Sequence, residues 1–225
     1  MPIPTFLQPG TTITLPDLPE AWASLPLQMQ CQQRTDWCWA AVAASTYVYY
    51  RDNAAPISFL ARVLAWLAAL AGRLLRFGVV TPDWSQQCVV ANAVLQGTRG
   101  RLDCCQGIGP VDCTKSIGGA DACNKPASLT DAISVTPTSV DMLSQAVPTF
   151  QAIQQEIDNG RVVTLRIVYD GGGGHFLAIS GYSVDQGAQT LAIGDPGDST
   201  AWTWSYGTPY QSGGDWTETY WTKKG

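Results

Sequence analysis

The order of hydrophobic periods along the chain predicts an α+β fold, with helices first and an antiparallel sheet second. Two observations carry this. Up to about residue 160 apolar residues recur at helical spacing, and beyond it they alternate with period two. Within the first part, residues 99–126 hold four cysteines among glycines and prolines and keep little period of either kind. At 225 residues, 45% hydrophobic and 14% charged, the chain is globular and not disordered. One domain over 1–225 is expected: an N-terminal arm at 1–30, a helical, disulfide-stapled lobe at 31–135, and a β lobe at 145–225. The formal charge of −5 comes with no basic run and no Arg/aromatic stripe, so nucleic acid is not an expected partner.

The elements follow in order. Residues 1–30 are proline-rich and read as an extended arm ending in a strand-like Leu27-Gln28-Met29-Gln30. The arm is either packed on the surface or a propeptide-like cover over a groove. From Cys38 to about Tyr50 the pattern is helical, with Asp36 or Thr35 available as N-cap. Ala40, Ala41, Val42, Ala43 and Ala44 make this helix small and apolar nearly all round, so it is expected in the interior.

Residues 57–77 predict a second apolar helix. At about 100° per residue Arg73 lies roughly 20° to one side of Arg62 and Arg76 roughly 40° to the other, a narrow polar stripe. The longest uncharged run, Val63 to Gly72, is ten residues, too short to span a bilayer. The helix is therefore core-packed with one solvated edge, or a contact for a partner or a membrane surface. Further helices are expected at 84–95, at 128–133, and from Thr149 to Asp158, where Asn159-Gly160 marks the end.

Then come strands at Arg161–Tyr169, His175–Tyr182 (apolar on both faces), Gln189–Gly194, and near 201–206 and 217–222. Four glycines, Gly171 to Gly174, join the first two.

Seven cysteines, at 31, 38, 88, 104, 105, 113 and 123, imply three disulfides and one free thiol. Cys38 is the candidate for the free one. It opens a helix, where unpaired backbone N–H groups and the positive end of the macrodipole favour thiolate. The other six allow fifteen pairings. Removing the three that join the adjacent Cys104 and Cys105 leaves twelve, and the sequence does not choose among them. A zinc site is the competing reading, but the single histidine and the lack of any Cys-x-x-Cys pair argue against it. No metal and no cofactor are expected.

Six structural cysteines point to an oxidising compartment. The N-terminus has neither the basic nor the apolar region of a signal peptide, so the expectation is an exported protein whose signal is not in this chain.

If Cys38 is a nucleophile, the rest of the chain must supply a base, an orienting group and an oxyanion donor. His175 is the only histidine. A hairpin turn centred near Asp185 would set His175 opposite Asp195, with Cβ atoms ~4.5–5.5 Å apart. That carboxylate could accept the imidazole N–H and support the imidazolium. Gln32 or Gln33, with the Cys38 backbone N–H, could donate to the oxyanion.

In that order, Gln32-x5-Cys38-Trp39, Gly174-His175-Phe176 and Gly194-Asp195-Pro196 resemble the papain-like cysteine peptidases. The similarity is greatest to the small bacterial branch that includes effector proteases, over about 31–50, 84–131 and 150–197. The spacing in that branch favours Gln32 over Gln33. The resemblance implies a helical lobe with a central catalytic helix followed by an antiparallel β lobe. It further implies a cysteine endopeptidase working through a Cys38-His175-Asp195 triad with Gln32 at the oxyanion, acting as a monomer on protein or peptide. Two departures stand out: Asp36-Trp37 replaces the Gly-Ser/Ala before the nucleophile of plant and lysosomal relatives, and Asp stands where they have Asn. The alternatives are a cell-wall or side-chain amidase with the same triad, and a catalytically inactive disulfide-rich binding module.

Overall fold

In a computed structural model, residues 20–53, 82–99, 102–119, 121–198 and 201–225 are described. The expected helix at 57–77 and most of the N-terminal arm lie outside the described residues. The described chain is mixed helix and antiparallel sheet. Its order is β1 (Ala21–Ser24), α1 (Cys38–Asp52), α2 (Gln87–Arg99), α3 (Leu129–Ser134), β2 (Thr138–Ser144), α4 (Phe150–Asp158), β3 (Val163–Val168), β4 (Gly174–Asp185), β5 (Ala188–Gly194), β6 (Ala201–Ser205) and β7 (Asp215–Lys224).

The sheet runs β2-β7-β3-β4-β5-β6, with β1 also on β4. Every one of these pairings is antiparallel. β4 is the hub because both of its faces are buried. Leu177 and Ile179 join Val163, Leu165, Ile167, Leu191 and Ile193 in one apolar cluster with Ile153 and Ile157 of α4. Phe176 joins the other cluster, with Trp39, Ala40, Val42, Ala43 and Ala44 of α1. This is the two-sided apolar pattern read for 175–182. β3 covers one edge of β4 up to Ile179, and β1 takes over that edge from Gly181. A Cβ on Gly181 would lie 2.6 Å from the Ala23 carbonyl oxygen, so only glycine admits β1 there.

α1 is buried from Cys38 through Thr46, as its alanines require. Its far end is tied to the sheet: the Tyr50 hydroxyl donates to the Thr222 carbonyl at 2.9 Å and accepts from the Val162 N–H at 3.0 Å. The side-chain cap expected from Thr35 or Asp36 is not made, and Trp37 is the N-cap. Thr35 Oγ1 accepts instead from Asn124 Nδ2 at 2.8 Å, and the Asp36 N–H donates to Asn124 Oδ1. The disulfide loop thus takes the Thr35 hydroxyl and ties down the Asp36 backbone ahead of the helix.

That loop is closed by Cys31–Cys113, Cys88–Cys105 and Cys104–Cys123, and Cys38 is the free cysteine. The adjacent Cys104 and Cys105 go to different partners. The fully buried Trp37 donates its indole N–H to the Cys123 carbonyl at 2.7 Å, and Trp39 donates to the Lys125 carbonyl at 3.0 Å. The stapled segment therefore sits directly on the start of α1.

Four local expectations shift. Leu27–Gln30 is extended but unpaired, and the strand lies earlier, at Ala21–Ser24. The helix expected at 84–95 spans Gln87–Arg99, after an Asp83 carboxylate has tied down Ser85 and Gln86 in a turn. β2 was not foreseen; it is a largely polar edge strand with a bulge between Val140 and Met142. The β4–β5 turn is Gln186-Gly187, both at positive φ, later than the centre near Asp185.

Candidate active site

Cys38 is the first residue of α1 and 8% exposed. The helix start leaves its first-turn N–H groups without a side-chain cap, so they and the macrodipole face the sulfur's surroundings. His175 is the second residue of β4, opposite Ile167 of β3. Its Nε2 lies 2.6 Å from Asp195 Oδ1, and its ring lines the same cleft as Cys38, whose side chain is among the groups that raise its pKa. With Nε2 on the carboxylate, Nδ1 is the nitrogen left for sulfur.

The route by which Asp195 reaches His175 differs from simple cross-strand opposition. The β4–β5 ladder ends at Ala178↔Gly194, and its register, continued, would set His175 across from Gly197. Asp195 sits just past the strand, and its carboxylate reaches back along the strand direction to the imidazole. Gly197 makes room for this. A Cβ on it would lie 3.0 Å from Asp195 Oδ1 and 3.8 Å from His175 Nε2. Its N–H donates to Asp195 Oδ1 at 2.7 Å, and the Tyr210 hydroxyl donates to Oδ2 at 3.3 Å.

These contacts set the electrostatics. Burial by itself pulls the His175 pKa down. The hydrogen bonds to Asp195 and Cys38, with the charges of both, outweigh it and push the value up to about 9. For Asp195, burial pulls upward, but the bond and charge of His175, with the Gly197 and Tyr210 donors, hold the carboxyl below its ordinary value. Tyr210 and Tyr169 are both raised, first by burial and then by the nearby Asp195 charge.

The two glutamines part company. The Gln33 amide donates to the Gly109 carbonyl at 2.8 Å, turned toward the stapled loop. The Gln32 N–H donates to the Pro196 carbonyl at 2.7 Å, which puts Gln32 beside the Asp195 turn. Its Nε2 donates one hydrogen to the Thr35 carbonyl at 2.7 Å, and its buried Oε1 has no protein partner. One amide hydrogen remains for a ligand.

Cys38 and His175 line a cleft of about 950 Å³ between the α1 side and the sheet. Asp36, Trp39 and Ala127 form one wall; Tyr169, Phe176 and the Arg166–Glu218 ion pair, 2.8 Å apart, form the other. The Tyr220 hydroxyl donates to the same Glu218 carboxylate. Among the described residues no group of three or more His, Cys, Asp or Glu could hold a metal ion.

Sequence reasoning missed Gly197, Tyr210 and Tyr169. Gly197 carried a signal, since Asp-Pro-Gly is a turn sequence. Tyr210 carried none, being one of many aromatics after residue 200.

No family model matches the chain. No curated protein matches it. Among solved structures there is a distant likeness to one from a study of limited antibody cross reactivity between the mite allergens Blo t 1 and Der p 1. The TM-score is 0.39 at 14% identity, over 95% of this chain and 74% of that one. Nothing about the site is carried over from a likeness so remote.

Proposed function

We propose that the chain is a cysteine endopeptidase that hydrolyses peptide bonds through Cys38, His175 and Asp195. The observation that supports this most is that the free Cys38 and a His175 hydrogen-bonded to Asp195 line one open cleft. In the reaction the sulfur acts as thiolate with its proton on His175, whose pKa, raised to about 9, suits it to hold one.

The Cys38 sulfur attacks the scissile carbonyl carbon, and the carbonyl oxygen becomes an oxyanion. The Cys38 N–H and the remaining Gln32 amide hydrogen stabilise it. His175 gives its Nδ1 proton to the leaving amine as the C–N bond breaks, leaving an acyl-thioester. Water, deprotonated by His175, then attacks the thioester, and the carboxylic acid departs as the thiol returns. Asp195 holds the imidazole by Nε2 throughout and supports its charge. The three disulfides point to an oxidising environment, which is where we place the enzyme.

The test is cleavage of a denatured protein substrate such as casein by wild type and by Cys38→Ala. The variant should lose all turnover while its melting temperature stays within a degree or two, because Ala fills most of the thiol's space. Cleavage that survives the substitution sinks the proposal. Turnover of peptidoglycan fragments without any turnover of casein would move the same triad to amidase chemistry.

A further inference from the structure

Asp195 is held on both of its oxygens, and His175 is only one of the holders. Oδ1 accepts from His175 Nε2 at 2.6 Å and from the Gly197 N–H at 2.7 Å, while Oδ2 accepts from the Tyr210 hydroxyl at 3.3 Å. Tyr210 is 5% exposed. Its ring is wedged among Trp202, Trp204 and Tyr169, with centroids 5.8, 5.7 and 6.2 Å away. Those edges fix where the hydroxyl points. Tyr169 packs beside Tyr210 and lines the cleft, and its hydroxyl is one of the groups that raise the Tyr210 pKa. Behind the imidazole a hydrogen-bonded row runs from Tyr210 through Asp195 to His175, with Tyr169 beside one end and Cys38 beside the other.

We propose that Tyr210 is a positioning residue, whose hydroxyl locks Oδ2 of Asp195 so that Oδ1 stays aimed at His175, and that Tyr169 anchors Tyr210 from the cleft wall. A carboxylate's last torsion is broad and soft. One held only on Oδ1 can swing, and a carboxylate turned off the line to the imidazole supports its charge less well. The Tyr210 ring supplies no such hold by itself, because only its O–H reaches the oxygen.

The catalytic consequence rests on the peptidase reading above; the effect on His175 does not. The other titratable or charged groups around the cleft at His175 are Cys38 on α1 and Asp36 on the opposite wall, and the paired Arg166 and Glu218 on its own sheet side. Tyr210→Phe touches none of them, so any change in His175 reports on the hydroxyl.

The experiment uses the chain's single histidine, whose ring C–H signals need no assignment. Proton NMR titrations of wild type, Tyr210→Phe and Tyr169→Phe are compared. Tyr210→Phe should lower the His175 midpoint by roughly 0.5–1 pH unit, and Tyr169→Phe by less in the same direction. With casein-derived peptides, Tyr210→Phe should reduce kcat about tenfold with KM changed less than about twofold, and should shift the alkaline limb of the rate profile to lower pH.

An unmoved His175 midpoint in Tyr210→Phe overturns the proposal, even where the wild type cleaves protein. If Tyr210→Phe does not fold, Tyr169→Phe decides by the same reading. If the wild type cleaves no protein and the midpoint still falls, the positioning role stands and the peptidase reading alone fails.

Discussion

The two sides of the cleft are built by different means. The thiol side, from Cys31 to Cys123, contains all six bonded cysteines. Among the described residues its stapled segment has no regular element between α2 and α3. The imidazole side contains no cysteine; it is a sheet whose central strand is buried on both faces. On the first side, covalent cross-links hold an irregular loop against the start of α1, and Trp37 and Trp39 bond its carbonyls. On the second, backbone ladders and apolar burial hold His175, and a turn carries Asp195 back to it. One side thus depends on redox state and the other on packing, although Cys38 and His175 line the same cleft.

That contrast can be broken at either end. The largest effect is expected from replacing both Cys104 and Cys123 by serine. Unfolding in urea should cost about 2–5 kcal/mol less, and alkylation of Cys38 by iodoacetamide at pH 7 should slow markedly. An unchanged alkylation rate would mean that the staple does not position the thiol side. Leu165→Ala, fully buried in β3, should cost about 2–5 kcal/mol by the same measurement. Reductant should add nothing specific to that loss; an extra loss on reduction equal to that of the wild type is the expected control.

The junction of the two sides titrates. His175 binds its proton more tightly folded, at about 9, than unfolded, near 6.5. Its contribution to stability is full below about 6.5 and is lost as pH rises through about 9, on the order of 1–3 kcal/mol. Melting curves from pH 6 to 9.5 should fall accordingly for wild type and be flatter for His175→Gln. Equal slopes for the two would remove His175 as the source.

Gly181→Ala forces a contact with Ala23 and should cost about 1–3 kcal/mol. Faster hydrogen exchange at Ala21–Ser24, with β3 still protected, is the local signature to look for.

The smallest effects compare helix starts. Ser128 caps α3 and Thr149 caps α4, and alanine at either should cost about 1 kcal/mol. Asp36→Ala, ahead of the uncapped α1, should change stability by less than about 0.5 kcal/mol. A cost near 1 kcal/mol there would show a cap that forms in solution.

What could be read from the chain alone divides along the same line. Helix α1 announces itself through a run of alanines, and β4 through apolar residues on both faces, because both signals are local. A count of seven cysteines singles out an odd thiol, and a lone histidine needs no choice. Pairing among the other six is a matter of distant contacts, and no local pattern selects Cys88–Cys105 and Cys104–Cys123 from twelve possibilities. β2 escaped because its exposed Met142 and Leu143 and its bulge blur the alternation. The hairpin placed His175 and Asp195 at the same end of the sheet, but not by the register expected. Gln186 adopts positive φ without being glycine, which moves the turn later and hands the place opposite His175 to Gly197. Tyr210 reaches Asp195 from a loop, a contact that no period encodes.

Cys31–Cys113 has a topological consequence. With its ends 82 positions apart in the sequence, it closes a ring that contains Cys38, the whole of α1 and the arginine-striped stretch at 57–77. A single peptide-bond cut anywhere inside that ring, outside the two smaller loops, opens the chain without dividing the molecule. The two fragments remain one covalent body, 24.1 kDa on a non-reducing gel and two bands on a reducing one. A chain nicked within 57–77 would still keep Cys38 joined to the sheet that carries His175.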